Sequence, residues 1–246
     1  MIDDRQELFR MYARMFTPSG LNSAALTTAL SQFQGRWLRH LPKNHEVAIL
    51  DLGCGTGEWL LCLQSLVYNK TYGVDLCHES LRAARTLGVP NTICADAVEF
   101  LQGSCDKFDL ITAFNFCEHL PKPELIKLLT CVSSALKSGG RFLAVTPNAL
   151  SPFSGATRYW DITHELAFTP ASWRQLARLT GFASVAFEEY GPLAHSIRGA
   201  VRCALWQLIK LAFDAISLIE VGRPRDQSRV YTADMKIILG KAVAET

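Results

Sequence analysis

The sequence predicts an α/β fold in which a parallel β-sheet is covered by helices on both faces. Short apolar strands alternate with helical segments from residue 47 onwards, a glycine-rich loop follows the first of these strands, and three successive strands end in an aspartate. Alternation of this kind is typical of βαβ units. With 246 residues, the chain has the length of one large domain with one main core.

The predicted elements follow in chain order. Apolar residues at helical spacing predict helices at 3–16 and 22–40, separated by the turn sequence Thr17-Pro18-Ser19-Gly20. The predicted strands then lie at 47–52, 71–75, 92–95, 108–114 and 141–146. The predicted helices between them lie at 58–68, 80–87 and 123–136. After a polar, aromatic segment come a helix and two strands, predicted at 171–180, 183–190 and 235–241.

The composition excludes two classes of protein. Hydrophobic residues make up 49% of the chain, charged residues make up 20%, and the formal net charge is +2. We therefore expect neither a disordered chain nor a nucleic-acid partner. The eight cysteines include no C-x-x-C pair, which indicates reduced thiols. The opening MIDDRQELFR has no apolar signal-peptide core, so we expect a cytoplasmic protein.

A long apolar stretch separates the last two predicted strands. Residues 199–221 are mostly apolar at helical spacing, but four charged residues interrupt them and disfavour a membrane-spanning helix. We expect a helical insertion at about 192–229. Three roles remain open for it: it covers the sheet edge, forms a homodimer contact, or lies peripherally on the inner face of a membrane through residues 197–220.

The strongest motif is the loop Asp51-Leu52-Gly53-Cys54-Gly55-Thr56-Gly57, directly after a predicted strand and before a predicted helix. Glycines allow a tight turn and a close approach of the backbone to a ligand, which favours a nucleotide-like cofactor. A dinucleotide site requires a further glycine where this sequence has Glu58. The loop therefore disfavours a dinucleotide-dependent oxidoreductase.

Three aspartates mark the ends of three successive strands. They are Asp51, Asp75 and Asp96, and open α/β sheets bind ligands at the edge where such strand ends meet. The two oxygens of Asp75 can accept hydrogen bonds from ribose hydroxyls, and Asp96 can accept one from an exocyclic amine such as that of adenine.

At these residues the sequence resembles the class I S-adenosylmethionine-dependent methyltransferases. The resemblance covers about residues 45–190 and rests on five motifs: DLGCGTG at 51–57, GVD at 73–75, AD at 95–96, FDLITAFNFCEHL at 108–120 and LKSGGRFLAVTPN at 136–148. It implies a Rossmann-like, mostly parallel sheet of seven strands whose last strand is antiparallel. It also implies a helical cap at 1–44 and a methyltransferase domain at 45–246.

The resemblance implies S-adenosylmethionine as cofactor and S-adenosylhomocysteine as product. In this family the glycine loop holds the methionine part, Asp75 matches the ribose-binding acid, Asp96 matches the adenine-binding position, and the backbone near Asn115 receives the methionine amino group. The predicted cofactor-binding residues are Asp51, Gly53, Cys54, Gly55, Gly57, Asp75, Leu76, Asp96, Ala97 and Asn115.

A narrower resemblance concerns the acceptor. Thr146-Pro147-Asn148 and the run YWDITHELAFTPASWRQL at 159–176 resemble the branch of bacterial polysaccharide and cell-surface glycan biosynthesis. This implies O-methylation of a sugar, a glycan or a lipid-linked glycan. A quinone, a natural product or another small molecule remains an alternative acceptor, and a non-catalytic S-adenosylmethionine-binding partner protein remains an alternative function.

Two histidines are candidates for the base that takes a proton from the acceptor. His119 follows the fourth predicted strand, and His164 lies in the segment after the fifth, where Asp161 can orient it. The alternatives are a histidine that only orients a loop and a helix cap at Asp161.

The remaining candidates concern the substrate and the cleft entrance. Arg158 is a candidate for pairing with an anionic group of the substrate, and Tyr159 and Trp160 are candidates for stacking. Tyr12 and Phe16 can close over the cofactor. No Cys, His and Asp cluster has metal-ligand spacing along the chain, so we expect no metal.

Overall fold

A computed structural model describes residues 23–223 and 226–244. It contains a seven-stranded sheet with the order β3-β2-β1-β4-β5-β7-β6. The strands are β1 (Ile49–Leu52), β2 (Thr71–Asp75), β3 (Thr92–Cys94), β4 (Phe108–Phe114), β5 (Leu136–Pro147), β6 (Ser184–Glu189) and β7 (Asp234–Gly240).

The pairing confirms the predicted fold class. Strands β1 to β5 are parallel, and β7 is antiparallel to its neighbours β5 and β6. The chain moves outward from β1 to β3 and then returns to β4 on the other side of β1. The carboxyl ends of β1 and β4 therefore border the crevice in which sheets of this kind bind ligands.

Eight α-helices lie in the described parts of the chain. They are α1 (Ser23–Trp37), α2 (Glu58–Ser65), α3 (His78–Thr86), α4 (Ala97–Leu101), α5 (Lys122–Ala135), α6 (Ser154–Arg158), α7 (Pro170–Leu179) and α8 (Ile197–Val221). The sequence did not predict α4 and α6, because five residues are too few to show a helical period. Strand β5 begins five residues earlier than predicted, because Leu136 already pairs with Phe108.

The sheet is buried on both faces, which explains its continuous apolar strands. One core packs against α4, α5 and α7 and contains Phe142 and Trp173. The other packs against α1, α2 and α3 and contains Trp37 and Leu60. All four of these side chains are completely buried.

Helix α1 belongs to the second core. Trp37 stacks on Phe114 of β4 with ring centroids 4.6 Å apart. The buried Lys236 of β7 donates from Nζ to the carbonyl of Arg36 (2.9 Å) and pairs with Glu188 of β6 (3.3 Å). The candidates Tyr12 and Phe16 lie outside the described residues.

Helix α8 forms the predicted insertion between β6 and β7. Ser196 caps its first turn by accepting a hydrogen bond from the N–H of Gly199 (3.1 Å), and Gly222, with φ of 71°, ends it. Among the described residues, no helix is long and apolar enough to cross a membrane.

Candidate active site

The glycine loop after β1 forms one side of a cleft of about 350 Å³ at the carboxyl edge of the sheet. Gly53 and Gly55 both have positive φ angles, 68° and 52°, which favour glycine. A Cβ atom at Gly53 would lie 2.5 Å from the ring of Phe116, whereas a Cβ at Gly55 would have no atom within 4 Å. Gly55 therefore leaves its backbone open to a ligand.

Asp75, at the end of β2, holds this loop in place. Its Oδ2 accepts a hydrogen bond from the N–H of Gly55 (2.9 Å), and its Oδ1 accepts one from the N–H of Cys77 (2.7 Å). Burial raises the pKa of Asp75, and these backbone donors act against the rise. Each oxygen has a second lone pair, so Asp75 can fix the loop and still accept hydrogen bonds from a ribose.

Asp51 lies at the base of the cleft and is 4% exposed. Its Oδ1 accepts a hydrogen bond from Oγ1 of Thr112 (2.6 Å). Burial raises the pKa of Asp51 to about 7; the Thr112 hydroxyl opposes this rise, and the nearby Asp75 and Glu58 add to it. A positively charged ligand group in the cleft would lower this pKa and favour the carboxylate.

Asp96 reaches the cleft as the N-cap of α4. Its Oδ1 accepts hydrogen bonds from the N–H groups of Val98 (2.8 Å) and Glu99 (3.1 Å). Asp96 and Ala97 both line the cleft. Their proposed contact with adenine remains a prediction.

Nine of the ten predicted cofactor-binding residues line one cleft, and Gly57 does not. A Cβ atom at Gly57 would lie 2.8 Å from the side chain of Val89, so this glycine permits the packing of α2.

Two further predicted residues line the cleft, Asn115 and Cys54. Asn115, with φ of 51°, donates its N–H to the carbonyl of Val145 (3.0 Å). Burial raises the pKa of the Cys54 thiol, as do Asp51 and Asp75, which keeps it protonated.

An aromatic wall completes the cleft, and the sequence did not predict it. Phe33 of α1 lies 5.5 Å from Trp59 and 6.2 Å from Phe114, measured between ring centroids, and Tyr190 follows β6. In the sequence, Phe33 is one apolar residue of a helical pattern and carries no further signal. These rings give this side of the cleft an apolar, aromatic surface.

His119 lines the cleft and is 6% exposed. Its Nδ1 lies 2.7 Å from Oγ1 of Thr163, and this hydroxyl donates to Oδ1 of Asp161 (2.8 Å). In this arrangement Nδ1 donates to the Thr163 hydroxyl, and the ring is also hydrogen-bonded to the backbone of Asn115. Burial lowers the pKa of His119 to about 4, with a further lowering by His164, so the imidazole is neutral at physiological pH.

His164 lies behind His119, with the ring centroids 4.9 Å apart. Its Nδ1 is 3.3 Å from the carbonyl of Arg158, and it does not line the cleft. Among the described residues, Asp161 is bonded to Thr163 and not, as expected, to His164. Asp161 also accepts the backbone N–H of Thr163 (2.8 Å), a local turn that directs its carboxylate toward Thr163 and His119.

Glu118 is the site residue to which the sequence assigned no role. It is 1% exposed, and its Oε2 has no hydrogen-bond partner among the described residues. Burial raises the pKa of Glu118 to about 8. Glu118, His119 and His164 each place one potential ligand atom within 4.8 Å of the others. His164 is far from Glu118 and His119 along the chain, which hides this grouping from a search for ligand spacing. The absence of a metal stays a prediction.

The predicted substrate residues Arg158, Tyr159 and Trp160 do not line the cleft. Arg158 donates from Nη2 to the carbonyl of Glu165 (3.0 Å). This hydrogen bond joins two parts of the same loop. Tyr159 and Trp160 are 81% and 75% exposed. These residues lie beyond the end of β5, in the segment 151–162. The strand pattern therefore could not predict whether their side chains face the cleft.

The fold and this cleft together define a class of protein. A switch point beside β1, a glycine loop, carboxyl groups after β1 and β2, and a capped helix after β3 are the features of a Rossmann-like, nucleoside-binding methyltransferase. The chain belongs to the methyltransferase domain family, whose sequence profile matches residues 4–186. S-adenosylmethionine is its cofactor, and the open backbone at Gly55 beside Asp75 fits that molecule.

Curated relatives match only part of the chain. The ubiquinone biosynthesis O-methyltransferase of Idiomarina loihiensis is 32% identical over 105 residues, covering 41% of this chain and 42% of that protein. The protein of the same name from Glaesserella parasuis is 32% identical over 112 residues, covering 41% and 45%. The matched segment thus spans less than half the length of these relatives.

A solved structure matches almost the whole chain. The S-adenosylmethionine-dependent methyltransferase from Archaeoglobus fulgidus superposes with a TM-score of 0.67 at 23% identity. The match covers 95% of this chain and 99% of that protein. This likeness confirms the fold.

Proposed function

We propose that this methyltransferase acts on a hydroxyl group of a sugar or glycan, free or lipid-linked. The observation that carries the proposal is the neutral His119, which lines the cofactor cleft and is connected through Thr163 to Asp161. A neutral imidazole held in this way can take a proton from a hydroxyl group as its oxygen is methylated.

The proposed reaction is a direct displacement in which an acceptor oxygen attacks the methyl group, and the residues of the cleft have separate roles in it. S-adenosylmethionine, when bound, supplies a methyl group on a positively charged sulfur that an acceptor oxygen can take. The glycine loop and Asp75 hold the cofactor side. His119 is the group that receives the proton lost by the acceptor hydroxyl, and Asp161 stabilises the resulting imidazolium through Thr163. Positioning both reactants in one cleft provides much of the rate.

The acceptor class rests on two supports. The run at 159–176 resembles the glycan branch, and the aromatic wall of Phe33, Phe114 and Tyr190 offers a face on which a sugar ring can lie. A quinol or related phenol is the second candidate, which the names of the curated relatives favour. Both candidates present a hydroxyl to the same base.

Transfer of a labelled methyl group tests the proposal. The protein is incubated with labelled S-adenosylmethionine and separate pools of lipid-linked glycans, sugar nucleotides, demethylated quinols and simple phenols. We expect label in a glycan pool and its loss in the His119→Ala variant. Label only in the quinol pool would select the second candidate. Cofactor binding without transfer to any pool would indicate a non-catalytic partner protein.

A further inference from the structure

Helix α8 turns its apolar side away from the protein. Ile197, Leu208 and Ile219, spaced along one face, are 87%, 63% and 85% exposed. Its inward face holds two aromatic rings, Trp206 and Phe213, together with two charged residues. Lys210 pairs with Glu189 (3.1 Å), and Asp214 accepts a hydrogen bond from the Tyr231 hydroxyl (2.6 Å). An ordinary surface helix has a polar outward face. The outward face therefore requires a covering surface of its own.

A second apolar element lies beside the helix. In the segment 153–162, Phe153 is 62% exposed and Ile162 is 91% exposed, and the exposed rings of Tyr159 and Trp160 lie between them in sequence. Phe153 lines one cavity of about 510 Å³ together with Arg202 of α8. Phe153 and the N-terminal half of α8 thus border the same cavity.

The charges around this surface are mainly positive. Arg198, Arg202 and Arg223 are exposed, and the ion pairs among the described residues include none of them. The charged residues on the inner side of α8 are neutralised locally, Lys210 by Glu189 and Asp214 by Arg229. Glu220 is the exposed acid of the helix. The apolar surface is therefore bordered by an excess of cations.

We propose that α8 and the segment 153–162 form a docking surface for an anionic lipid bilayer, with α8 lying in the plane of the membrane. A helix of 25 residues is about 37 Å long, and its apolar face can enter the acyl boundary while the arginines extend to the lipid phosphates. Tyr and Trp favour the same interfacial depth. A bilayer is continuous and fluid, so it covers the helix, the segment and the cavity mouth together.

The position of the surface relative to the cleft supports this occupant. Tyr190 lines both the cavity between the two apolar elements and the cofactor cleft. A lipid-borne acceptor can therefore approach the cleft from the bilayer side. This last point rests on the proposed function, whereas docking itself does not.

Vesicle flotation of the full chain tests the docking surface without acceptor or cofactor. We expect the protein to float with vesicles of phosphatidylcholine and phosphatidylglycerol, and to bind at least tenfold less to phosphatidylcholine alone or at high salt. The double variant Leu205→Glu/Leu208→Glu should lose at least tenfold in vesicle binding. The control Leu179→Glu changes a leucine of α7 that is 65% exposed and should bind as the wild type does.

Two results would overturn the proposal. One is equal recovery of wild type and double variant with anionic vesicles. The other is a wild-type protein that does not float with vesicles but forms a concentration-dependent dimer in sedimentation equilibrium, when the double variant does not dimerise. The surface would then bind a second copy of this chain. A thermal shift with S-adenosylmethionine confirms that each variant is folded. If the protein binds vesicles but transfers no methyl group to any acceptor pool in the assay described above, the proposed function is overturned and the docking surface stands.

Discussion

At the scale of single residues, the hydrogen bond between Thr163 and His119 gives the first prediction. Thr163→Val keeps the side-chain shape but removes the hydroxyl that connects His119 to Asp161. We expect turnover to fall about tenfold in Thr163→Val and about 10²- to 10⁴-fold in His119→Ala. The dissociation constant for S-adenosylmethionine should stay within about twofold, because neither residue holds the cofactor in the proposed mechanism. Calorimetry and steady-state kinetics measure the two quantities.

The second histidine provides the comparison. His164 does not line the cleft, so His164→Ala should lower turnover less than His119→Ala does. Equal losses in both variants would mean that the rings act as one unit. A loss confined to His164→Ala would move the base to His164 and contradict the assignment made from the geometry.

Asp75 gives a prediction about the cofactor. Asp75→Asn keeps the size of the side chain but replaces one of its two acceptor oxygens, each of which receives a backbone N–H. We expect a loss of about 1–3 kcal/mol in cofactor binding, or roughly tenfold to hundredfold in the dissociation constant. An unchanged dissociation constant would break the ribose assignment. Glu79→Gln, also an acid at the start of the neighbouring α3, is the control.

The raised pKa of Glu118 implies that the free energy of unfolding depends on pH. Its pKa is about 8 in the folded protein and about 4.3 in an unfolded chain. Between these values the folded protein keeps a proton that the unfolded chain has released. The free energy of unfolding therefore falls as the pH rises through this window, by up to about 1.4 kcal/mol per pH unit.

The variant Glu118→Gln isolates this contribution. It has nearly the same shape and no titration, so its free energy of unfolding relative to wild type should increase as the pH is raised from about 5 to about 8. Urea unfolding at several pH values measures the difference. Parallel curves for the two proteins would show that Glu118 is ionised in the folded state.

At the scale of elements, the glycine loop permits a matched pair of substitutions. Gly55 and Gly88 both have positive φ, and a Cβ at either position meets no atom within 4 Å. Each alanine variant should lose about 1–2 kcal/mol of stability through backbone strain. Gly55 lines the cleft and Gly88 does not, so only Gly55→Ala should also weaken cofactor binding. Equal cofactor affinities in the two variants would remove Gly55 from the site.

Most elements could be predicted from the sequence, because strands buried on both faces and amphipathic helices each show their own period. The exceptions have physical causes. Helix α4 is fixed by the cap at Asp96 rather than by apolar spacing. The turn at Asp161 depends on hydrogen bonds of one side chain to Thr163, and a sequence pattern does not show which of two histidines such a turn will face.

At the scale of the whole molecule, Lys236 connects α1 to the sheet. It is 5% exposed, bonds the carbonyl of Arg36 and pairs with Glu188. We expect Lys236→Met to lower stability by about 1–3 kcal/mol, because the carbonyl and part of the carboxylate lose a buried partner. Phe33 on α1 should then be held less firmly at the cleft, which weakens cofactor binding as well.

The exposed pair of Lys70 and Glu46 (3.1 Å) supplies the control for this variant. Lys70→Met should change stability by less than about 1 kcal/mol. Thermal unfolding with and without S-adenosylmethionine measures both effects. Equal melting temperatures for wild type and Lys236→Met would show that α1 is held by apolar packing alone.

The cofactor half of the site could be predicted from the sequence because its residues follow strand ends, where a motif and a position in the sheet coincide. The acceptor half could not. Phe33 and Tyr190 come from separate regions of the chain, and only the packed tertiary structure brings them to one cleft. Tyr159 and Trp160 lie outside this cleft, since the path of segment 151–162 is set by contacts outside any strand; their contact with a substrate stays a prediction.

The strand order β5-β7-β6 has a consequence for synthesis of the protein. Strand β7 enters between two strands that the ribosome has already released, and α8 must emerge before it. Until residue 240 leaves the exit tunnel, β5 and β6 each present an unpaired edge, and the apolar face of α8 is exposed beside them. Such a nascent chain is a substrate for chaperones. The cofactor cleft is lined by residues up to 190, but α1, which carries Phe33, gains its hydrogen bond from Lys236 only when β7 is in place.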